Sequence, residues 1–183
     1  MNSKHTSSRE TVARLAHLPP SYRADILRPI REMAAKFPRE NTEAAARFRT
    51  WYRASANPPA YSIFRAGREL GYTMIFEPLR GGRFAPQILD LAGHAAIAAW
   101  IALQIERLGG MEATLSALPE ITEYNLACGD KPRWSSFVLI CIACRARLAW
   151  RKDDRPALQK QAPAAAAAQP KHRHMTRSRY AHD

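Results

Sequence analysis

Residues 86–108 read PQILDLAGHAAIAAWIALQIERL, and the predicted fold depends on this stretch. Pro86 suits the first turn of a helix, and Gly109-Gly110 suits its end. The fifteen residues from Leu91 to Ile105 carry no formal charge. Because a membrane-spanning helix needs about 20 apolar residues, the segment is too short to cross a bilayer. We therefore predict a buried core helix over 86–108 and no membrane insertion.

A second apolar segment lies closer to the C-terminus. Phe137 to Cys144 is apolar on nearly all sides of a helix, and Ser135 or Ser136 is a suitable N-cap. Basic residues follow as far as Lys152, and positive charge favours the C-terminal end of a helix because it complements the helix dipole. The pattern predicts a helix over 134–152, which we expect to pack against 86–108 at the centre of the protein.

The first half of the chain predicts further helices, each with apolar residues at the spacing of one helical face. Prolines separate them, since proline cannot continue a helix. After Gly71, residues 72–77 read YTMIFE, which favours a short strand or extended segment. The predicted fold class is all-α, mostly a helical bundle of five to seven helices with one extended segment near 72–77. The helices predicted in this half cover 9–17, 21–37, 43–54 and 60–70.

The composition indicates a globular and strongly basic protein. Apolar residues make up 46% of the 183 residues, which is enough to form a core. Lys and Arg number 28 against 16 Asp and Glu, a net charge of +12. The charge divides the chain into a basic helical region at 1–83, an apolar helical core region at 84–152 and a basic tail at 153–183. The alanine and proline content of the tail predicts disorder.

The cysteine count and the first residues indicate the cellular compartment in which the protein is expected. Three cysteines are an odd number, and the first twenty residues are polar and broken by Pro19-Pro20. A disulfide-stapled secreted fold is therefore not expected, and the prediction is a reducing cytoplasm. The abundance of Arg and Ala is typical of a GC-rich bacterial genome.

No motif in the chain predicts an enzyme. We find no nucleophile–His–acid set within one segment, no glycine-rich phosphate loop and no HExxH signature. Cys141 and Cys144 form a CxxC pair preceded by Cys128, whereas a structural zinc site needs four ligands. Thiols three residues apart on an apolar helix are typical of core packing, and we expect them to react slowly. His94 is expected to be hydrogen-bonded in the core. We predict no catalytic residue, metal site or cofactor, although metal binding by the three cysteines stays open.

Arginine dominates the basic front region, where it supplies 13 of the 15 basic residues. The planar guanidinium group matches phosphate oxygens, so a polyanion such as nucleic acid is the expected partner. Helices 43–54 and 60–70, joined by the turn Asn57-Pro58-Pro59, would present one basic side to solvent. The predicted nucleic-acid contacts are Arg47, Arg49, Arg53, Arg65 and Arg68.

Residues 48–79 resemble the closing part of Xre/Cro-type helix-turn-helix regulators. The shared elements are a helix, the Asn-Pro-Pro turn, the segment SIFRAGRELGY at 62–72 and an apolar extended stretch ending in Pro78. The resemblance implies a helix-turn-helix-like DNA-binding unit at 43–71. The chain departs from that family because the glutamine-rich opening of the recognition helix is missing upstream.

Two functions and one purely compositional explanation fit these features. The leading interpretation is a small, non-enzymatic accessory or regulatory protein that binds nucleic acid, with DNA as the first expectation. The alternative is a protein-interaction module, an inhibitor or assembly adaptor that binds an acidic or nucleic-acid-binding partner. A helical bundle made Arg-rich by codon bias alone would have the same composition.

Overall fold

The computed structural model describes residues 15–82, 84–127 and 129–153. They belong to one compact unit that ends at Asp153. The predicted helix at 9–17 lies largely outside the described residues, and so does nearly all of the predicted disordered tail. After a 3-10 turn at Leu15–His17, the elements are α1 (Pro20–Lys36), α2 (Glu43–Arg53), α3 (Ala60–Glu69), β1 (Tyr72–Pro78), β2 (Gln87–Leu89), α4 (His94–Leu108), α5 (Met111–Ser116), α6 (Glu123–Leu126), α7 (Trp134–Ala143) and β3 (Ala146–Lys152).

The all-α prediction is wrong, because the described residues contain a three-stranded antiparallel sheet in the order β2-β1-β3. β1 pairs with β3 from Tyr72↔Lys152 to Pro78↔Ala146. On its other side it pairs with β2 through Met74↔Leu89, Ile75↔Ile88 and Phe76↔Gln87. β1 is the predicted extended segment near 72–77, whereas the sequence pattern predicts helix for the other two strands.

β3 occupies the part of the chain in which the basic residues predict the end of a helix. Instead, α7 ends at Ala143, and Arg145 adopts a left-handed conformation with a φ of 53°. Burial then alternates, since Ala146 and Leu148 are buried while Arg147 is exposed. This period of two lets one side of a strand pack on the core while the other faces solvent. Neither glycine nor proline marks the boundary, so no strong local signal ends the predicted helix early.

The predicted helix at 86–108 also begins too early. α4 starts at His94, directly after Gly93, whose φ is 108°. Residues Gln87–Leu89 form an edge strand instead, because pairing with β1 outweighs the helical preference of so short a segment. No helix in the described ranges combines the length and apolar content that crossing a membrane requires.

α1, α2 and α3 confirm three of the helices that the apolar spacing of the first half predicts. Each end lies within one residue of the predicted end. The Oγ1 of Thr42 accepts a hydrogen bond from Ala45 N at 3.4 Å and caps α2. Gly71, with a φ of 77°, follows α3 and turns the chain into β1.

Aromatic side chains from α3, α4, α7 and β1 meet in the core. The ring centroid of Phe137 lies 4.8 Å from that of Trp100, 5.2 Å from Phe64 and 5.9 Å from Trp134. Phe76 lies 5.7 Å from Trp100. All five side chains are buried, and burial of one such side chain stabilises the fold by about 1.5–3 kcal/mol. The predicted packing of the two apolar segments is therefore confirmed for α4 and α7.

Candidate nucleic-acid interface

The five predicted arginines lie on α2 and α3, which pack against each other. α2 directs Ala44, Ala45 and Phe48 into the core, and α3 directs Ile63 and Phe64 inward. The arginines therefore stay off the buried faces, as their spacing predicts. The exposed arginines are Arg53, Arg65 and Arg68, and the half-buried ones are Arg47 and Arg49.

Glu69 at the end of α3 brings two of these arginines together. Arg65 Nε donates a hydrogen bond to Glu69 Oε1 at 2.8 Å, and Arg47 Nη1 lies 3.9 Å from Glu69 Oε2. Arg47 also pairs with Glu43, one turn earlier on α2. The hydrogen bond that Arg65 donates to Glu69, together with the negative charge of that carboxylate, raises the pKa of Arg65. Two guanidinium groups thus share one carboxylate across the α2–α3 contact.

Arg68 and Arg53 lie apart from this network. Arg68 Nη1 is 3.3 Å from Asp90 Oδ1, and its Nη2 donates to the carbonyl of Leu91 at 3.0 Å. These bonds tie α3 to the connection between β2 and α4. Arg53, in the last turn of α2, has no side-chain partner within the described ranges and is exposed.

Arg49 has a structural role that its sequence position does not reveal. Its Nη1 donates to the carbonyl of Phe37 at 2.6 Å, and its Nη2 donates to the carbonyl of Glu40 at 2.9 Å. Both carbonyls belong to the connection between α1 and α2. The guanidinium therefore holds that connection against α2 with two charge-assisted hydrogen bonds.

The predicted Asn57-Pro58-Pro59 turn is anchored to the start of α7. Asn57 Nδ2 donates to Ser135 Oγ at 2.8 Å, and Ser135 N donates to Asn57 Oδ1 at 2.9 Å. The backbone N–H of Trp134 donates to Pro58 O at 2.9 Å. Sequence reasoning missed this role of Asn57, because Ser135 is 78 residues away and nothing local signals the contact.

α3 is enclosed by its neighbours, since it packs against α2, α4, α7 and β1. Half of its length is buried, including Ile63, Phe64 and Gly67. What remains at the surface is mainly the strip formed by Arg65, Arg68 and Glu69. A helix in this position offers side chains to a ligand but does not protrude.

β3 supplies a second basic surface that the prediction of a helix concealed. Arg147, Arg151 and Lys152 are all exposed. Arg147 Nε donates a hydrogen bond to Glu77 Oε2 on β1 at 2.8 Å. Within the described residues, Glu77 is the one acidic residue of the sheet that forms an ion pair with β3. The alternation of buried Ala146, exposed Arg147 and buried Leu148 was the available signal, and the apolar run before β3 obscured it.

The two described thiols are buried and form no disulfide. Cys141 lies in the last turn of α7, and Cys144 is the C-cap residue that directly follows the helix. Burial raises the pKa of Cys141 well above its usual range and that of Cys144 to about 12, although Arg107 opposes the second shift. The described residues include no group of three His, Cys, Asp or Glu that could hold a metal ion.

His94 does not make the hydrogen bond expected of it. Its ring lies edge-on to Tyr61, 5.3 Å between centroids, and the buried Nδ1 has no partner within the described ranges. Aromatic contact with Tyr61 therefore accounts for its position at the start of α4.

Comparison of the chain with protein-family models, curated proteins and solved structures found no match in any of the three. The resemblance of residues 48–79 to helix-turn-helix regulators stays a prediction on that account. A functional proposal must therefore rest on the side chains described above.

Proposed function

We propose that the protein is a small, non-enzymatic nucleic-acid-binding accessory or regulatory protein of the bacterial cytoplasm. The observation that carries this proposal is the charge of α2 and α3, which bear five arginines but only two carboxylates, Glu43 and Glu69. An excess of positive charge on one surface attracts phosphate groups and accelerates association with a polyanion.

The internal ion pairs leave these arginines able to bind phosphate. The Arg65 side chain is 58% exposed, and ion pairs between exposed side chains contribute little to stability because solvent screens them. A phosphate group can therefore replace Glu69 as the partner of Arg65 at small cost. The fork of the guanidinium also allows two parallel hydrogen bonds to one phosphate.

The proposed contacts are to the sugar–phosphate backbone and not to base edges. Entry into a major groove about 12 Å wide would require α3 to stand clear of its four neighbours, whereas it is packed against all of them. Surface arginines still reach phosphates, so the expected binding is strong at low salt and independent of sequence. The expected contacts are Arg47, Arg53, Arg65 and Arg68, with the exposed basic residues of β3 as a second basic surface.

The test is the affinity of the protein for a random-sequence DNA duplex, measured by fluorescence anisotropy over a series of salt concentrations. The Arg53→Ala/Arg65→Ala variant should bind more weakly to every sequence. The slope of log K against log salt should fall by up to about two units, since each lost phosphate contact contributes about 0.9.

Two further variants control for charge and fold. Arg107→Ala on α4 removes one exposed arginine from the acidic part of the surface and should leave the affinity nearly unchanged. The Arg53→Lys/Arg65→Lys variant should keep most of the salt dependence because it keeps the charge. If the unmodified protein shows no salt-dependent binding, its positive charge reflects amino-acid composition alone, and the proposal is overturned.

A further inference from the structure

α4 is uncharged on all sides over most of its length, yet one of its faces is exposed. A helix that is apolar all round is normally buried on all sides. Here Ala95, Ala99, Ala102 and Leu103 face solvent, and Leu103 is 41% exposed. The described part of the chain places no element over this face.

An open groove of about 550 Å³ runs beside the exposed face, between α4, α5 and α6. Its wall on α4 is apolar and includes Ala98, Ala99, Ala102 and Ile105. Met111 and Leu126 are the large apolar side chains on the opposite side. Because the distance between packed helices depends on the side chains at their contact, alanines allow a second helix to approach closely. The groove therefore offers the kind of apolar surface on which the apolar stripe of an amphipathic helix packs.

The surroundings of the groove are acidic. Glu123 lies in its lining, and Glu106 on α4, Glu112 on α5 and Glu120 between α5 and α6 are exposed. We refer to these four carboxylates as the acidic rim. Residues 84–130 contain only one basic residue, Arg107, against six acidic ones. Next to Glu123, the side chain of Tyr124 is 82% exposed, and tyrosine is one of the residues that most often anchor a protein interface.

We propose that this groove binds a basic amphipathic helix of a partner protein, with the apolar stripe of that helix on the alanines of α4 and its lysines or arginines against the acidic rim. The rim opposes other occupants. A second copy docked through the same groove would bring two acidic rims together, and phosphates of nucleic acid or of anionic lipid would be repelled. This inference does not rest on the proposed nucleic-acid binding, which uses α2 and α3.

A synthetic peptide tests the proposal. The probe is a labelled helix of about 18 residues, or five turns, with leucines at the spacing of one face and lysines elsewhere. One comparison peptide carries glutamate in place of lysine, and another has the same composition in an order that forms no stripe. At about 0.15 M salt, where exposed charges more than about 8 Å apart are screened, only the lysine peptide with an intact stripe should bind.

Variants of the full chain locate the binding. Ala102→Lys places a long, positively charged side chain in the groove and should weaken binding about tenfold or more, and Tyr124→Ala should also weaken it. Ala46→Lys on α2 is the matched control, because it makes the same change at another exposed helical alanine. It should bind the peptide as the unmodified protein does, and Tyr124→Ala should leave the salt-dependent binding of DNA unchanged.

Three results would overturn the proposal. They are absence of binding by the unmodified protein, equal binding of the striped and reordered peptides, and equal loss for Ala102→Lys and Ala46→Lys. A concentration-dependent dimer that Ala102→Lys abolishes, measured by sedimentation, would assign the groove to a second copy instead.

Discussion

The indole ring of Trp150 on β3 occupies the space that a side chain at position 67 would need. A β-carbon added to Gly67 of α3 would overlap the six-membered ring of that indole. The ring cannot easily move, because its Nε1 donates to Pro29 O at 2.8 Å and its edge packs on Phe48, 5.8 Å between centroids. The absence of a side chain at position 67 thus lets β3 lie against α3, and Trp150 joins α1, α2 and α3 to the sheet.

Replacement of Gly67 by alanine should therefore destabilise the protein. An alanine in place of glycine normally stabilises a helix by up to about 1 kcal/mol, whereas overpacking of a filled core costs about 1–3 kcal/mol. We expect a net loss in the free energy of unfolding, measured by urea denaturation. Trp150→Leu should be less harmful in the Gly67→Ala background than alone, and Gly129→Ala, where nothing lies within 4 Å, serves as control. A more stable Gly67→Ala variant would contradict the contact.

Replacement of Asn57 by alanine should weaken the contact between the Asn57-Pro58-Pro59 turn and the start of α7, and so lower the free energy of unfolding. Asn57→Ala leaves the buried backbone N–H of Ser135 without its acceptor, and an unsatisfied buried group costs about 1–3 kcal/mol. Ser135→Ala should cost less, because it removes the acceptor of Asn57 Nδ2 but keeps the hydrogen bond from Ser135 N to Asn57 Oδ1. Chemical denaturation of both single variants and the double variant gives the coupling energy, which we expect to be at least about 0.5 kcal/mol. Strictly additive losses would show that the two side chains act independently.

Arg49 and Arg53 lie one turn apart on α2 and should respond differently to substitution. Arg49→Ala removes two hydrogen bonds to backbone carbonyls, so we expect the free energy of unfolding to fall by about 1–3 kcal/mol. Arg53→Ala should change it by no more than about 0.5 kcal/mol, as is usual for exposed positions. Thermal melts of the two variants provide the comparison. Equal stability of the two would remove the structural role assigned to Arg49.

Gln104 on α4 should be replaceable by methionine with a gain in stability. The side chain is 1% exposed, and neither its Nε2 nor its Oε1 has a hydrogen-bond partner within the described ranges. Since an unpaired buried amide is costly, Gln104→Met should raise the free energy of unfolding by about 1 kcal/mol or more. Urea denaturation measures the change. A loss instead would mean that the amide is satisfied in solution, through an ordered water molecule.

The buried thiols should make the protein sensitive to alkaline pH. Burial raises the pKa of Cys144 from its ordinary value of 9.0 to about 12, so the folded state favours the neutral thiol. The associated stability is fully present below pH 9 and is lost as the pH rises towards 12, because the unfolded chain ionises first. In a Cys128→Ser background, the Cys144→Ala variant should lose less stability over this range than its parent. Parallel losses in both proteins would contradict the assignment.

The sequence patterns predicted the helices of the first half well, because prolines and glycines mark their ends. They failed at β3, where nothing but the left-handed Arg145 separates an apolar helix from a strand. The alternation of Ala146, Arg147 and Leu148 was present, but three alternating residues weigh less than the preceding apolar run. Pairing with β1 decides the conformation there, and such pairing is not visible in local sequence.

The candidate site was also predictable only in part, because contacts between elements are not visible in local sequence. Helical spacing correctly placed the arginines away from the buried faces of α2 and α3. It could not show that Arg49 bonds to backbone carbonyls or that Glu69 pairs with Arg47, since both depend on how α2 meets its neighbours. Contacts between elements, rather than the pattern within one element, set what each guanidinium is able to bind.

The position of β3 along the chain determines when the protein can finish folding during its synthesis. Each residue of β3 pairs with a residue of β1 made 68 to 80 positions earlier, between Pro78↔Ala146 and Tyr72↔Lys152. Until the ribosome has released Lys152, Met74 and Phe76 lack their partners on β3, and the space next to Gly67 is unfilled. Contacts so distant in sequence form slowly, and unpaired strands with exposed apolar residues associate readily. A nascent chain stalled before Ala146 should therefore stay incompletely folded, because the native core closes only after translation has passed β3.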